Sequence, residues 1–369
     1  MKSPCTRLFL YCRAGFERET LAECSAWATA AGMSGSGECQ ERSGHALFRP
    51  AQSDRVEELL ERLNLSRLTF ARHLLAVDED SAPLPPGDRL APLLARLSAM
   101  GERHGPFSAL WLGAPESDAG RALLPLCRAL QGRLESALRQ SGLLVEAPHR
   151  LRAEVIFLSG TQALTGFSRP DSSAPWPMGI PRLRRPAGSP SRAAMKLEEA
   201  LVVLLTPEAR KKWLAPGRTA VDLGAAPGGW TRILLQDGLS VTAVDRAALA
   251  PELLTSPRLR HAREDGFRFR PPRPVDWLLC DMVEQPRRIA ELVGLWAASG
   301  WCRNALFNLK LPMKKRYEEL QICRNLVGQA LKPTRIDHRL SIRQLYHDRE
   351  EVTALLHLSG SPDKNVRIV

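Results

Sequence analysis

The sequence predicts an α/β protein whose C-terminal half folds as a doubly wound, mostly parallel sheet, with smaller α+β units ahead of it. Three observations carry this. From Met195 onward, helical patterns alternate with short apolar strands, as crossover connections in a parallel sheet require. Within that alternation Val221–Thr231 reads as strand, tight turn and helix, because an apolar run stops at Gly224 and small residues lead through Pro227, Gly228 and Gly229 into Trp230–Leu235. Acids then meet successive strand ends at Asp245, Asp265 and Asp281. In an open parallel sheet, ligands bind beyond those ends.

Taken in order, Leu8–Cys12 reads as a strand, Glu17–Ala30 as an amphipathic helix closed by Gly32, and Ala46–Arg49 as another extended stretch. A helix over Ser53–Leu63 and an extended Leu68–Val77 complete a first α+β region, residues 1–80. His45 and His73 have no partner at ligand spacing and read as packing or surface histidines. Helices follow over Arg89–Met100 and Arg121–Ser141, then a strand over Leu151–Ser159, giving a second unit over 81–167. Leu123, Leu126, Leu130, Leu134 and Leu138 form the core stripe of the long helix, with Arg121, Arg128, Arg133 and Arg139 on its polar face, read as solvated with contact to RNA phosphates as the alternative.

Residues 168–190 read as a linker. Phe167–Arg192 carries six prolines and the basic group Arg182, Arg184, Arg185 and Arg192, and its only acid is Asp171. Such a segment is expected to lie across the surface at the mouth of the following domain, where cations and Trp176 suit RNA. The last domain spans 191–369. Its strands are expected at Thr219–Leu223, Ser240–Val244, Arg258–Arg263, Val275–Cys280 and Asn304–Leu309, after a helix over Met195–Leu205. Arg335–Ile342 and Val352–Leu358 are joined by a short connection and can pair antiparallel.

Composition narrows the function. A chain of 369 residues with 44% hydrophobic residues builds real cores. A net charge of +12 and a pI near 9.7 favour a polyanionic partner. The eight cysteines show no Cys-x-x-Cys pair or Cys/His cluster, so no metal is expected and a reducing cytoplasm fits. No apolar run approaches a membrane span, and the N-terminal apolar stretch is too short for a signal peptide. Monomer and weak homodimer both remain open.

The glycine-rich turn is not a dinucleotide fingerprint, since Pro227 stands where a pyrophosphate cradle wants N–H groups. It resembles the S-adenosyl-L-methionine loop of class I methyltransferases in the Asp-Leu-Gly-x-x-Pro-Gly-Gly form of the RrmJ/fibrillarin-like RNA methyltransferases. Asp245, 21 residues beyond Gly224, is spaced to accept the ribose hydroxyls of an adenosine, and Asp265 is placed to meet its adenine amino group. Asp281 stands in Cys-Asp-Met, unlike the motif of base amino methyltransferases, and Cys280, Cys302 and Cys323 lack the context of a C5 nucleophile. Oxygen is the remaining acceptor.

The segments Ser191–Leu197, Asp281, Asn308–Lys310 and Arg349–Val352 resemble the Lys-Asp-Lys-Glu tetrad of RrmJ-type 2′-O-ribose methyltransferases, which gives Lys196, Asp281, Lys310 and Glu351 as catalytic candidates. Glu351 is preferred to Glu350 because it directly precedes the terminal strand. Lys310 is the expected base, with desolvation and Lys196 pushing it towards neutrality. Long runs at Arg263–Phe267, Phe307–Glu319 and Arg343–Val352 are similar to the RlmM family of bacterial 23S rRNA cytidine 2′-O-methyltransferases.

That resemblance spans nearly the whole chain. It implies a ferredoxin-like region (1–80) and a THUMP-like RNA-binding region (81–167) ahead of a Rossmann-like domain with seven strands, the last antiparallel. It also implies a 23S rRNA partner in the peptidyl-transferase region, and a cofactor site lined by Ser191, Ala226, Pro227, Gly228, Gly229, Asp245, Asp265 and Asp281. The alternatives are a ribose methyltransferase for another rRNA or tRNA site, a non-catalytic rRNA-binding assembly factor, and a nicotinamide oxidoreductase.

Overall fold

The computed structural model describes residues 5–78, 83–183 and 193–359. The chain divides into two compact units, 1–180 and 181–369.

The first unit contains β1 (Cys5–Tyr11), α1 (Glu17–Ala30), β2 (Gly35–Cys39), β3 (His45–Pro50), α2 (Val56–Arg62), β4 (His73–Asp78), α3 (Leu90–His104), β5 (Ala109–Gly113), α4 (Asp118–Gln140), β6 (Arg152–Phe157) and β7 (Ala163–Ser168). Its seven strands form one sheet in the order β2-β3-β1-β4-β7-β6-β5. The regions read from the sequence on either side of residue 80 therefore share a sheet, joined where β4 pairs with β7 through Ala76↔Phe167 and Val77↔Gly166. On α4 the stripe behaves as its spacing dictates. Leu130, Leu134 and Leu138 are buried in the core with Leu93 and Leu97 of α3, while the four arginines are exposed. Ser117 caps the helix by accepting the Gly120 N–H at 3.0 Å.

The described part of the expected linker is not laid across a surface. Ala174, Met178 and Ile180 are buried, the Ser173 hydroxyl donates to the Leu74 carbonyl at 3.0 Å, and Arg152 donates to the carbonyls of Ala174 and Arg169 at 2.8 and 3.2 Å. Its few apolar residues thus find a packed sheet to cover, which composition alone does not reveal. Arg182 is exposed, and Arg184, Arg185 and Arg192 lie outside the described residues.

The second unit contains α5 (Ala193–Leu204), α6 (Pro207–Trp213), β8 (Thr219–Leu223), α7 (Gly229–Gln236), β9 (Ser240–Val244), β10 (Leu259–Ala262), β11 (Val275–Cys280), α8 (Pro286–Ala298), β12 (Cys302–Lys310), α9 (Arg316–Leu331), β13 (Asp337–Arg343) and β14 (Glu351–Ser359). Its sheet order is β10-β9-β8-β11-β12-β14-β13. The first five strands run parallel, and β14 enters antiparallel between β12 and β13. Strand order reverses between β8 and β11, which opens a crevice at their carboxyl ends. The core is built from Leu197, Leu201, Trp230, Ile233, Trp277 and Leu306, among others, and the Trp277 indole is satisfied by the Trp213 carbonyl at 2.8 Å.

Candidate active site

The turn after β8 shows why its glycines are needed. Gly224 has φ +76° and Gly228 φ +111°, and a Cβ on Gly228 would come within 2.1 Å of the Leu253 side chain. Only glycine holds that left-handed position, from which α7 starts with no side-chain cap, leaving its first N–H groups for an anion. Burial pushes Asp222, at the end of β8, up to about 7, against the hydrogen bond it accepts from Thr231 at 2.7 Å.

A cleft of about 400 Å³ lies beside this turn, lined by Gly224, Ala226, Asp245, Asp265, Asp281 and Val283 among others. Asp245 directly follows β9 and accepts the backbone N–H groups of Ala226 and Ala247 at 3.0 and 2.8 Å, which fixes its carboxylate at the lip. Asp265 accepts from the Phe267 N–H at 2.9 Å and from Arg246 at 2.5 Å. In size and in its acidic lining the cleft can accommodate a small adenosine-bearing cofactor. Ser191, expected to line the same site, lies outside the described residues.

The four tetrad candidates meet at the carboxyl ends of the central strands. Lys196 comes from α5, which is tied to α7 where the Trp230 indole donates to the Ala193 carbonyl at 2.9 Å. Asp281 follows β11, Lys310 ends β12, and Glu351 opens β14 directly opposite Lys310 in the antiparallel register. Lys196 Nζ lies 3.2 Å from Asp281 and 2.7 Å from Glu351; Lys310 Nζ lies 2.9 Å from Asp281 and also pairs with Glu351. Two cations and two anions alternate in a closed ring. Glu350 faces elsewhere and pairs with Arg316 at 2.5 Å.

The electrostatics correct one expectation. Burial favours a neutral Lys310, but the Asp281 and Glu351 carboxylates outweigh it and hold the ammonium above its ordinary value of 10.5. Burial likewise works against an ionised Asp281, yet the charges of Lys196 and Lys310 keep its carboxyl below the usual range. The resting ring is therefore fully ionised at Lys310 and Asp281. The expectation of a near-neutral lysine weighed Lys196 but not the two acids that close the ring.

Behind the ring lies a buried chain of polar groups that sequence reasoning did not single out. Asn308 donates to Asp281 Oδ1 at 2.7 Å, and the Thr353 hydroxyl lies 2.8 Å from Asn308 Oδ1 and 3.1 Å from both Asp348 oxygens. Burial pushes the Asp348 carboxyl well above its ordinary value, and the Thr353 hydroxyl is shared between that carboxyl and Asn308 Oδ1. The available signal was the strand period of two. Asn308 shares a face with Lys310, and Thr353 shares one with Glu351. Asn308 and Thr353 are opposed in the sheet as Lys310 and Glu351 are, but the register is not written in the sequence. Glu199, one turn after Lys196, accepts the backbone N–H groups of Tyr346 and His347 at 2.7 and 2.9 Å and so holds the loop that leads to Glu351.

Cys280, Cys302 and Cys323 are buried, and that burial pushes each thiol up to about 12, as packing residues rather than nucleophiles require. In the first unit His73 is fully buried and pairs with Glu154 at 2.7 Å, while His45 stacks on Phe9. Among the described residues no group of three or more His, Cys, Asp or Glu side chains is placed to hold a metal, and no helix is long and apolar enough to cross a membrane.

A family model described as RlmM ferredoxin-like domain matches residues 5–75, and one described as ribosomal RNA large subunit methyltransferase M, N-terminal, matches 88–169. An FtsJ-like methyltransferase model matches 190–323, in agreement with the class I methyltransferase strand order of the second unit. The ribosomal RNA large subunit methyltransferase M of Xanthomonas oryzae pv. oryzae is 45% identical over 94% of this chain and 98% of its own length. Its counterpart from Methylococcus capsulatus is 46% identical over 97% of this chain and 99% of its own. The solved structure of Aeropyrum pernix fibrillarin with natively bound S-adenosyl-L-methionine covers 55% of this chain and 82% of its own, at 16% identity and a TM-score of 0.31. The ferredoxin-like start, the FtsJ-like second unit and near-full-length relatives together place this chain in the ribosomal RNA large subunit methyltransferase M family.

Proposed function

We propose that the chain transfers a methyl group from S-adenosyl-L-methionine to the ribose 2′-oxygen of a cytidine in the peptidyl-transferase region of 23S rRNA. The carrying observation is that Asp281 belongs both to the cleft wall and to the charged ring. A donor held in the cleft would end beside Lys310, where an acceptor hydroxyl can be aligned. Cytosine C5 chemistry is disfavoured because the buried thiols of Cys280, Cys302 and Cys323 are unsuited to act as nucleophiles.

In this reading Asp245 receives the cofactor ribose, Asp265 the adenine, and the turn Ala226–Gly229 the methionine end, with Ser191 completing the set. When bound, the cofactor supplies a sulfonium-activated methyl group. Lys196, Asp281 and Glu351 hold Lys310 against the acceptor ribose, and Lys310, having released its own ammonium proton to solvent, would take the proton of the ribose hydroxyl. The THUMP-like region over 81–167 is assigned to RNA binding.

The ionised state of Lys310 favours a second reading. Lys310 would stay cationic and hold the acceptor oxygen in line, while the proton leaves to solvent. The pH–rate profile separates the two. A base gives a rate that rises towards the alkaline lysine range, whereas a cationic clamp gives a rate that falls there.

A Lys310→Ala variant tests the proposal as a whole. It should lose methyl transfer while binding the cofactor normally by calorimetry. A fully active variant would remove Lys310 from either role, and tight rRNA binding by the wild-type protein without cofactor affinity would make it an assembly factor.

A further inference from the structure

Four large apolar side chains are exposed among the described residues, and the two most exposed closely follow ring residues in the chain: Val283 at 91% and Met313 at 74%. Val283 follows Asp281 by two residues on the loop after β11 and lines the cofactor cleft. Met313 follows Lys310 by three on the loop after β12, the strand that pairs with β11. Isolated exposed apolar residues are ordinary on protein surfaces. Two on adjacent strand-end loops, each following a ring residue, are a different pattern, because water contact there has no structural return.

The neighbouring charge is complementary to a nucleic acid. Pro312, Met313, Lys314 and Lys315 are all exposed, so the same loop offers an apolar surface followed at once by two cations. Sequence-specific recognition of RNA works mostly on nucleotides that have left the helical stack. The unstacked base then needs an apolar surface, and the adjoining phosphate needs a cation.

We propose that Val283 and Met313 form the platform that receives the base of the acceptor nucleotide, with Lys314 and Lys315 holding the adjoining phosphate. This rests on the ribose-methylation reading, and it adds the residues that position the acceptor. Base stacking on side chains is sequence-tolerant, so the platform explains seating of the nucleotide and not the choice of cytidine.

The test uses the full-length chain and a 23S rRNA fragment spanning the methylated nucleotide, made with either the native base or an abasic site there. Affinity is measured by fluorescence anisotropy for the wild-type protein and for a V283S/M313S variant. Both side chains are exposed, so the fold is not at risk; cofactor affinity is measured alongside, and M313S alone, at a residue outside the cleft lining, should bind the cofactor within about twofold of the wild type. The wild type should bind the abasic RNA about tenfold more weakly, the variant should bind the native RNA about tenfold more weakly, and the variant should not distinguish the two RNAs. Additive losses, or no loss on removing the base, would overturn the platform. Nucleoside analysis of the same RNA after turnover tests ribose methylation separately, because a base-methylated product would defeat that reading while the stacking measurement stands on its own.

Discussion

Replacing Thr353 by valine removes one hydroxyl from the chain behind the charged ring while keeping its volume. Thr353 is fully buried, and its oxygen bridges Asn308 Oδ1 at 2.8 Å and the Asp348 carboxyl at 3.1 Å. Valine would leave Asn308 Oδ1 without this donor and take one partner from the Asp348 carboxyl, which keeps the Leu345 N–H, and a buried polar group left short of a partner costs roughly 1–3 kcal/mol. A total loss of about 2–4 kcal/mol follows, seen as a fall of roughly 5–15 °C in the melting temperature. Asn308 would no longer be held in the orientation that donates to Asp281 at 2.7 Å. A hydrogen bond to a charged group contributes about 1.5–3 kcal/mol, so kcat should fall roughly tenfold or more, with little change in cofactor KM. Differential scanning calorimetry and methyl transfer to rRNA read the two effects, and Thr353→Ser, which keeps the hydroxyl, should recover most of both. A valine variant with wild-type stability and wild-type kcat would refute the chain as the support of Asp281.

Three further predictions follow from the same site. If Lys310 is the base, kcat should rise with pH through the neutral range without levelling below the ordinary lysine value, because Asp281 and Glu351 hold its pKa up; Glu351→Gln should move that rise to lower pH. Asp245→Ala should weaken S-adenosyl-L-methionine roughly tenfold or more by calorimetry while leaving RNA affinity unchanged, since it removes the carboxylate at the cleft lip. Asp222 is raised from 3.8 to about 7 by burial, so the folded state binds its proton more tightly than the unfolded state. Its stabilising contribution is complete below the unfolded value and is lost as pH rises through about 7. Denaturant melts of Asp222→Asn should therefore show a flatter stability profile between these limits than the wild type.

The second unit was largely readable because its elements obey strong local rules. Val275–Cys280 is a strand in the sequence reading and in the structure, and the antiparallel pairing of the last two strands was legible from their short connection. The expectation of helices between most strands holds less well around β10, which is flanked by a 3-10 turn at Pro251–Leu253 and a helix-free stretch before β11. In the first unit the strands missed were Gly35–Cys39, Ala109–Gly113 and Ala163–Ser168. The first is exposed throughout, so it has no buried face to impose alternation. The last is buried throughout, and its Gly166 sits where a Cβ would be 2.1 Å from the Ala76 carbonyl, a close approach that only the folded sheet explains.

The site divides the same way. Strand-end acids announce themselves through spacing and the four candidates through the resemblance to RrmJ-type methyltransferases, and the fold brings Lys196, Asp281, Lys310 and Glu351 within ion-pair reach. Asn308, Thr353, Asp348 and Glu199 do not, because each matters only through a partner set by register or tertiary packing. The charge state of Lys310 was misjudged for a related reason: a residue's ionisation depends on every group around it, and spacing names only some of them.

The most direct test is nucleoside mass spectrometry of unmodified 23S rRNA incubated with the wild-type protein and isotopically labelled S-adenosyl-L-methionine. The label should appear in 2′-O-methylcytidine, at a single position in the peptidyl-transferase region. Label on a base, or none transferred by a protein that binds both cofactor and RNA, would contradict the assignment of the ring to ribose oxygen.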